Sequence, residues 1–272
     1  MLVDREARAL PQALLFDVDG TLADTERDGH RVAFNRAFAE AGLDWVWDEA
    51  LYGDLLSVTG GKERIRHYVE RHRPNAPPPR DLDALIARLH AAKTRHYTAL
   101  LATAGIALRP GVRRLLEEAR RNGVRLAIAT TTTPENVTAL LHHGLGPDAA
   151  RWFDVIGAGA AVAAKKPAPD IYHYVLERLH LPAAACVAFE DSENGLRAGL
   201  AAGLTTIVTV NDYTRTQNFE GAALVLDHLG EAGRPARILG GTAVGVSQLD
   251  LVTLGALLAA RGPAPRGRDP RG

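Results

Sequence analysis

Two rhythms of apolar positions alternate along the chain, and the changes between them divide it. Leu14, Leu15 and Phe16 form a short apolar run that gives way at once to Asp17, Val18, Asp19, Gly20 and Thr21. Such a run predicts a buried strand whose carboxyl edge opens into a turn. Beyond Thr21 the spacing changes to three and four. Ala33, Phe34, Ala37, Phe38 and Ala41 predict an amphipathic helix over 30–41, with Gly42 as its stop. Residues 47–56 and 62–72 predict two more helices separated by Thr59, Gly60 and Gly61, and 74–79 predicts a rigid proline-rich loop. Asp81 is placed to cap a long helix through Leu82, Leu85, Ile86, Leu89, Tyr97, Leu100 and Leu101, ending near Gly105. About eighty residues of helical pattern far exceed an ordinary strand-to-helix connection. Residues 25–105 are therefore expected to be an inserted, all-helical unit.

From Arg109 the pattern becomes helix, strand, helix, strand. A helix over 112–122 stops at Gly123, a strand covers 125–130, and Pro134 opens a helix at the first-turn position that proline favours. Further strands are expected at 153–156, 186–189 and 205–210, and further helices at 171–179 and 194–202. Short apolar strands alternating with helices predict the α/β class, a Rossmann-like parallel sheet covered on both faces. Its core would comprise residues 11–24 and 106–230. Val225 and Ile238 mark two late strands and 248–259 a final helix. Residues 231–272 are expected to form a C-terminal extension, disordered in its Pro-, Gly- and Arg-rich end at 262–272.

Composition narrows the partners. With 272 residues, 46% of them hydrophobic, the chain can bury a full core. Lys plus Arg and Asp plus Glu both number 32, so no net charge draws it to nucleic acid or an anionic membrane. The expected partner is a small molecule, and the chain is expected to be a monomer. Cys186 is the single cysteine, which excludes an internal disulfide and fits a reducing compartment. Asp4, Arg5, Glu6 and Arg8 precede the first apolar run, unlike a secretory signal. A cytoplasmic location is expected.

Candidate chemistry gathers where the strands end, as ligand sites of open parallel sheets do. Alternation along the first strand would point Asp17 and Asp19 to one side, and carboxylates so close repel unless a cation or shared proton compensates. Taken alone, they could be turn formers. The second run ends in Thr130 and the run 186–189 in Glu190 and Asp191, while Lys166 stands before a proline-led helix entry. Each has a plain alternative: a helix cap for Thr130 to Thr133, a surface lysine for Lys166, a cap for Glu190 to Ser192. Together they suit a phosphoryl group and Mg²⁺, with hard oxygen ligands for the ion and an ammonium for the phosphate oxygens.

DVDGT at 17–21, the strand-ending Thr130, the lysine of KPAPD and the EDS of 190–192 resemble the four motifs of the haloacid dehalogenase-like (HAD) superfamily. The resemblance spans about residues 11–230 and implies a five-stranded core sheet with the first strand central and a helical C1-type cap. It implies Asp17 as nucleophile, Asp19 as general acid and base, and Thr130 and Lys166 as holders of the transferring oxygens. Mg²⁺ would be held by Asp17, the Asp19 main-chain carbonyl and Asp191, with Glu190 assisting. DTERDGHR at 24–31, VTGGKERI at 58–65, TTTTPENV at 130–137 and KKPAPDIY at 165–172 are similar to the CbbY group of sugar bisphosphate phosphatases. That group is associated with xylulose 1,5-bisphosphate, an inhibitor of the carbon-fixing enzyme Rubisco. β-Phosphoglucomutase shares much of this framework, so a sugar phosphomutase is the alternative. A noncatalytic binding module would be expected to lack one of these groups, and all are present. Substrate binding is expected from Thr131 and from Glu26, His30, Gly60, Gly61, Lys62 and Arg64 of the insert. The helix entry at Gly60, Gly61 and Lys62 is the expected seat of a second phosphate.

Overall fold

The computed structural model describes residues 10–73, 80–242 and 245–261. The charged start, the proline-rich loop at 74–79 and the segment 262–272 lie outside them. Seven strands occur among the described residues: β1 (Ala13–Phe16), β2 (Arg125–Ala129), β3 (Val155–Gly157), β4 (Cys186–Glu190), β5 (Thr205–Thr209), β6 (Leu224–Leu226) and β7 (Ile238–Gly241). They form one sheet in the order β3-β2-β1-β4-β5-β6-β7, parallel except for β7. The expected five strands are therefore extended by two. β6 and β7 were faint in the sequence because one is three residues long and the other, ILGG, is glycine-rich and largely exposed.

The first strand shows why the sheet is covered on both faces. Leu14 and Phe16 pack with Leu115, Leu140 and Leu254 on one side, whereas Ala13 and Leu15 pack with Ile171, Tyr172 and Val175 on the other. In β1–β4 register Phe16 lies beside Phe189, and their rings stack with centroids 4.4 Å apart. The residue following each is thereby delivered to the same edge. The core helices are α5 (Val112–Arg121), α6 (Pro134–Leu145), α7 (Asp170–Leu179), α8 (Glu193–Ala201) and α9 (Leu251–Arg261). The helix expected at 248–259 is α9, and Leu251, Leu254 and Leu257 bury it in the main cluster. So β7 and α9, expected in an extension, complete the core.

Between β1 and α5 run a π-helical turn (Glu26–His30) and helices α1 (Arg31–Glu40), α2 (Glu49–Leu55), α3 (Gly61–His72) and α4 (Leu82–Ala104). Asp48 and Asp81 cap α2 and α4, accepting from Leu51 N and Ala84 N. These helices enclose their own cluster, in which Phe34, Phe38, Trp45, Trp47, Tyr52 and Tyr68 interlock. Ala33, Tyr97 and Leu101 join the core's cluster instead. The two crossings are tied together, because Arg109 N donates to Leu22 O at 2.8 Å. No helix among the described residues is long and apolar enough to cross a membrane.

Trp47 is fully buried, with the rings of Phe34, Phe38 and Tyr68 at 4.7, 4.9 and 5.4 Å. Trp47→Ala is expected to cost about 3–5 kcal/mol by removing that contact and leaving a void. Urea unfolding measures it, and a loss below about 1 kcal/mol would show that another element holds the insert together.

Candidate active site

Three strand ends meet at one cavity. Asp17 follows β1 directly, and its N donates to Phe189 O at 3.0 Å, which ties it to β4. Lys166 arrives from the segment before α7 and donates to Asp17 Oδ1 at 2.7 Å and Ala129 O at 2.8 Å. Its Nζ also lies 2.7 Å from Glu190 Oε1. Tyr172 OH donates to that same glutamate oxygen, and Asn211 Nδ2 donates to Asp191 Oδ2 at 2.6 Å. Carboxylate oxygens of Asp17, Glu190 and Asp191 all lie within 4.8 Å of one another. Thr130 and Thr131, at the end of β2, line the same cavity, which measures about 80 Å³.

The charges here do not balance. One ammonium faces three buried carboxylates. Burial pushes the Asp17 carboxyl up to about 7 against the pull of Lys166, with Glu190 adding to the rise. Burial, Asp17 and Glu190 hold Asp191 well above its ordinary value. For Lys166 burial is outweighed by Asp17 and Glu190, and its ammonium is held more firmly than usual. Hard oxygen donors carrying excess negative charge fit a divalent cation of the Mg²⁺ kind.

Asp19 departs from the expected alternation. The strand stops at Phe16, and Gly20, at φ 80, turns the chain so that Thr21 N and Leu22 N both donate to Val18 O. Asp17 and Asp19 thus face different neighbours. The Asp19 carboxylate accepts from Thr25 Oγ1 at 2.6 Å and stands 2.8 Å from His30 Nε2, outside the acidic trio. Burial would raise it, but His30 and Thr25 hold it well below the usual carboxylate range. The two aspartates are driven in opposite directions.

The helical insert closes this floor. Glu26, His30, Gly60, Gly61 and Arg64 line this cavity or an adjoining one of about 40 Å³, and Asp19, Glu26, Gly60, Arg64 and Thr131 border both. Glu26 and His30 lie in the π-helical turn, before the first α-helix rather than within it. Tyr52 OH donates to Glu26 Oε2 at 2.5 Å and accepts from Arg64 Nη1 at 3.1 Å, fixing both. Lys62 differs from expectation: it is exposed and lines neither cavity, because the first turn of α3 points it outward while Arg64, two residues on, is buried. The buried ammonium is that of Lys93 on α4. It sits 5.1 and 5.3 Å from the Phe34 and Tyr97 ring centres, with no hydrogen-bonding or ion-paired partner among the described residues. Burial lowers Lys93 to about 8, and burial with Lys93 nearby takes His90 to about 4.

Residues 11–203 match the family model of the haloacid dehalogenase-like hydrolases. The chain belongs to that family. Within it the chain is 53% identical over 224 residues to the plasmid-encoded protein CbbY of Cupriavidus necator, covering 82% of this chain and 88% of that one. A phosphorylated carbohydrates phosphatase of Thermotoga maritima is 32% identical, covering 73% of this chain and 85% of the other. The crystal structure of a CbbY mutant from Rhodobacter sphaeroides in complex with xylulose 1,5-bisphosphate superposes with a TM-score of 0.77 at 49% identity. It covers 82% of this chain and 97% of that one.

Three supporting groups of this hydrolase escaped notice in the sequence: Lys93, Tyr172 and Asn211. Lys93 had a signal, since Leu89, Lys93, Tyr97 and Leu101 share one stripe of α4 at intervals of four, and a lysine in an apolar stripe is out of place. Asn211 had none, being set by the loop after β5. Gly195, on α8, packs so closely beneath Glu190 that an added Cβ would overlap the carboxylate. Gly195→Ala is expected to weaken divalent-cation binding by about tenfold, since displaced supports of metal ligands cost that much. Isothermal titration with Mg²⁺ reads it, and unchanged affinity would remove Glu190 from the cation site.

Proposed function

We propose that this hydrolase is a Mg²⁺-dependent sugar phosphatase that removes one phosphate from a small sugar bisphosphate. Xylulose 1,5-bisphosphate, bound in the CbbY crystal structure, is the first candidate. One observation supports the reading: the buried Lys166–Asp17 pair and acidic trio line one cavity with the buried cap cation Arg64, and Arg64 also lines an adjoining cavity with a second buried cation, Lys93. A nucleophile stands at one end and positive charge for a distal anion at the other.

Asp17 attacks the phosphorus, its carboxylate oxygen forming a bond as the bond to the sugar oxygen breaks, which leaves an aspartyl phosphate. Lys166 and Thr130 hold the non-bridging oxygens as charge shifts onto them. Mg²⁺, held by Asp17, Asp191, Glu190 and the Asp19 carbonyl, would lessen the repulsion between a carboxylate and a phosphate dianion. Asp19 and His30, 2.8 Å apart, share the proton that the departing sugar oxygen takes. Asp19 then removes a proton from the water that releases phosphate. Glu26 and Thr131 face the sugar, and Arg64, Lys93 and the N-terminus of α3 at Gly60 and Gly61 face its second phosphate.

The test is phosphate release from a panel of sugar mono- and bisphosphates with and without Mg²⁺. Release from xylulose 1,5-bisphosphate that stops with EDTA is expected. Activity confined to nucleotides or phosphoproteins overturns the assignment, and isomerised product without free phosphate would make the chain a mutase.

Lys93→Met is expected to raise KM about tenfold for a bisphosphate, the worth of a lost charged hydrogen bond, and less than about twofold for a monophosphate. The ammonium is lost as pH passes about 8, so in the unmutated protein KM for the bisphosphate climbs above that pH. Equal effects on both substrates would exclude Lys93 from distal phosphate binding.

A further inference from the structure

Arg109 opens the return from the helical insert to the core, and nothing in the reaction above uses it. Its side chain is 6% exposed. The guanidinium fork reaches three parts of the chain that are remote in sequence. Nη1 donates to Gly20 O and to Thr209 O, the latter at 2.9 Å. Nη2 donates to Val210 O at 2.6 Å and Asp227 O at 2.8 Å. Nε stands 3.4 Å from Asp24 Oδ1, and the Arg109 amide holds Leu22 O. One residue thus clamps the turn after β1 to the ends of β5 and β6, where the chain leaves for the insert and comes back.

The Gly20 peptide has little room for error. A Cβ on Gly20 would overlap the Asp191 carboxylate, so the backbone runs directly against the acidic trio. Asp17 does not depend on the clamp, being held by Phe189 O and Lys166. Asn211 follows Val210, whose carbonyl the clamp also holds, but its side chain is fixed by its own turn as well, its amide donating to Thr214 Oγ1 and its Oδ1 accepting from Tyr213 N. Asp19, joined to Gly20 through one peptide bond, is the group whose placement follows the clamp.

We propose that Arg109 is a positioning residue that sets Asp19, the proton donor, by anchoring the Gly20 carbonyl to the ends of β5 and β6. The proposal rests on the phosphatase reading. In that step the oxygen–phosphorus bond to the sugar breaks, its electron pair stays on the sugar oxygen, and that oxygen takes the proton from the Asp19–His30 pair. An ester whose leaving group is stable as an anion needs no such proton. Nitrophenolate is one. A misplaced Asp19 carboxylate therefore slows sugar phosphates selectively, whereas a damaged nucleophile or cation site, to which the Asp19 carbonyl is assigned, slows every ester.

Arg109→Lys keeps a positive charge but cannot span four carbonyls. The experiment compares kcat/KM of this variant and the unmutated protein, with Mg²⁺, on xylulose 1,5-bisphosphate and on p-nitrophenyl phosphate, and checks folding by circular dichroism. The expected result is a fall of about tenfold on the sugar phosphate, part of the contribution of a general acid, and less than about twofold on the nitrophenyl ester. Equal losses on both esters, or no loss on either, overturn the proposal. A variant that does not fold assigns Arg109 to the fold and overturns it too. An unmutated protein that releases phosphate from neither ester overturns the phosphatase reading itself, a result distinct from the others.

Discussion

Three carboxylates buried against one ammonium are the constraint on which this structure turns. Asp17, Glu190 and Asp191 lie within 4.8 Å of one another, and among the described residues Lys166 is the cation paired directly with them. Like charges held in a low-dielectric setting push apart, so the backbone must resist. The register of β1 on β4 supplies that resistance. Phe16 beside Phe189 makes Asp17 and Glu190 the next residues on neighbouring strands, and the stacked rings beneath them fix the spacing. Neutral donors add to this, Tyr172 joining Lys166 on Glu190 Oε1 and Asn211 holding Asp191 Oδ2. What repulsion remains is an attraction for a cation.

The insert answers the floor with the opposite charge. Arg64 and Lys93 are buried cations on α3 and α4, and Lys93 sits against the Phe34 and Tyr97 rings with no ion-paired partner among the described residues. Keeping an ammonium there is costly, as its lowered pKa records, and an anion arriving between Lys93 and Arg64 would relieve that cost. Cavities of about 80 and 40 Å³ are small for a sugar bisphosphate, given that ligand pockets usually hold about 300 Å³ or more. Entry of the proposed substrate would therefore call for the insert to lift. The ties that would have to give include Asn194 Nδ2 to Ser57 O and Thr59 Oγ1 at 3.2 Å each, the Arg27–Asp212 ion pair, the Tyr52–Tyr213 ring contact and the bonds of Thr25 and His30 to Asp19.

Much of this was legible because strand ends and helix caps obey local rules. The apolar runs predicted β1, β2, β4 and β5 within a residue or two, and the change of period at Thr21 marked the insert. Asp17, Thr130, Lys166, Glu190 and Asp191 stood out as polar residues abruptly closing or following apolar runs, and the structure brings them to one cavity. Features set by distant contacts were not legible. α3 was foreseen, but whether Lys62 or Arg64 turned inward depended on where the helix met Tyr52. Lys93 belongs to the site because α4 packs against α1, and Arg109 clamps segments about a hundred residues away because the sheet brings β5 and β6 beside the first turn. Tertiary packing decided each of these.

The contrast between Asp17 and Asp19 shows how one short turn divides two electrostatic environments. Identical side chains two positions apart are driven in opposite directions, Asp17 up to about 7 and Asp19 well below the usual range. Alternation in a strand would have given both the same neighbours. Because β1 ends at Phe16 and Gly20 takes a positive φ, Asp17 stays among carboxylates while Asp19 turns toward Thr25 and His30. Both of those partners belong to the first turn of the insert, not to the sheet. On the proposed mechanism the nucleophile is thus built into the core, and the proton donor is completed by the insert. That mechanism would couple enclosure to proton transfer, since lifting the insert would withdraw His30 and Thr25 from Asp19 while Phe189 O and Lys166 still held Asp17.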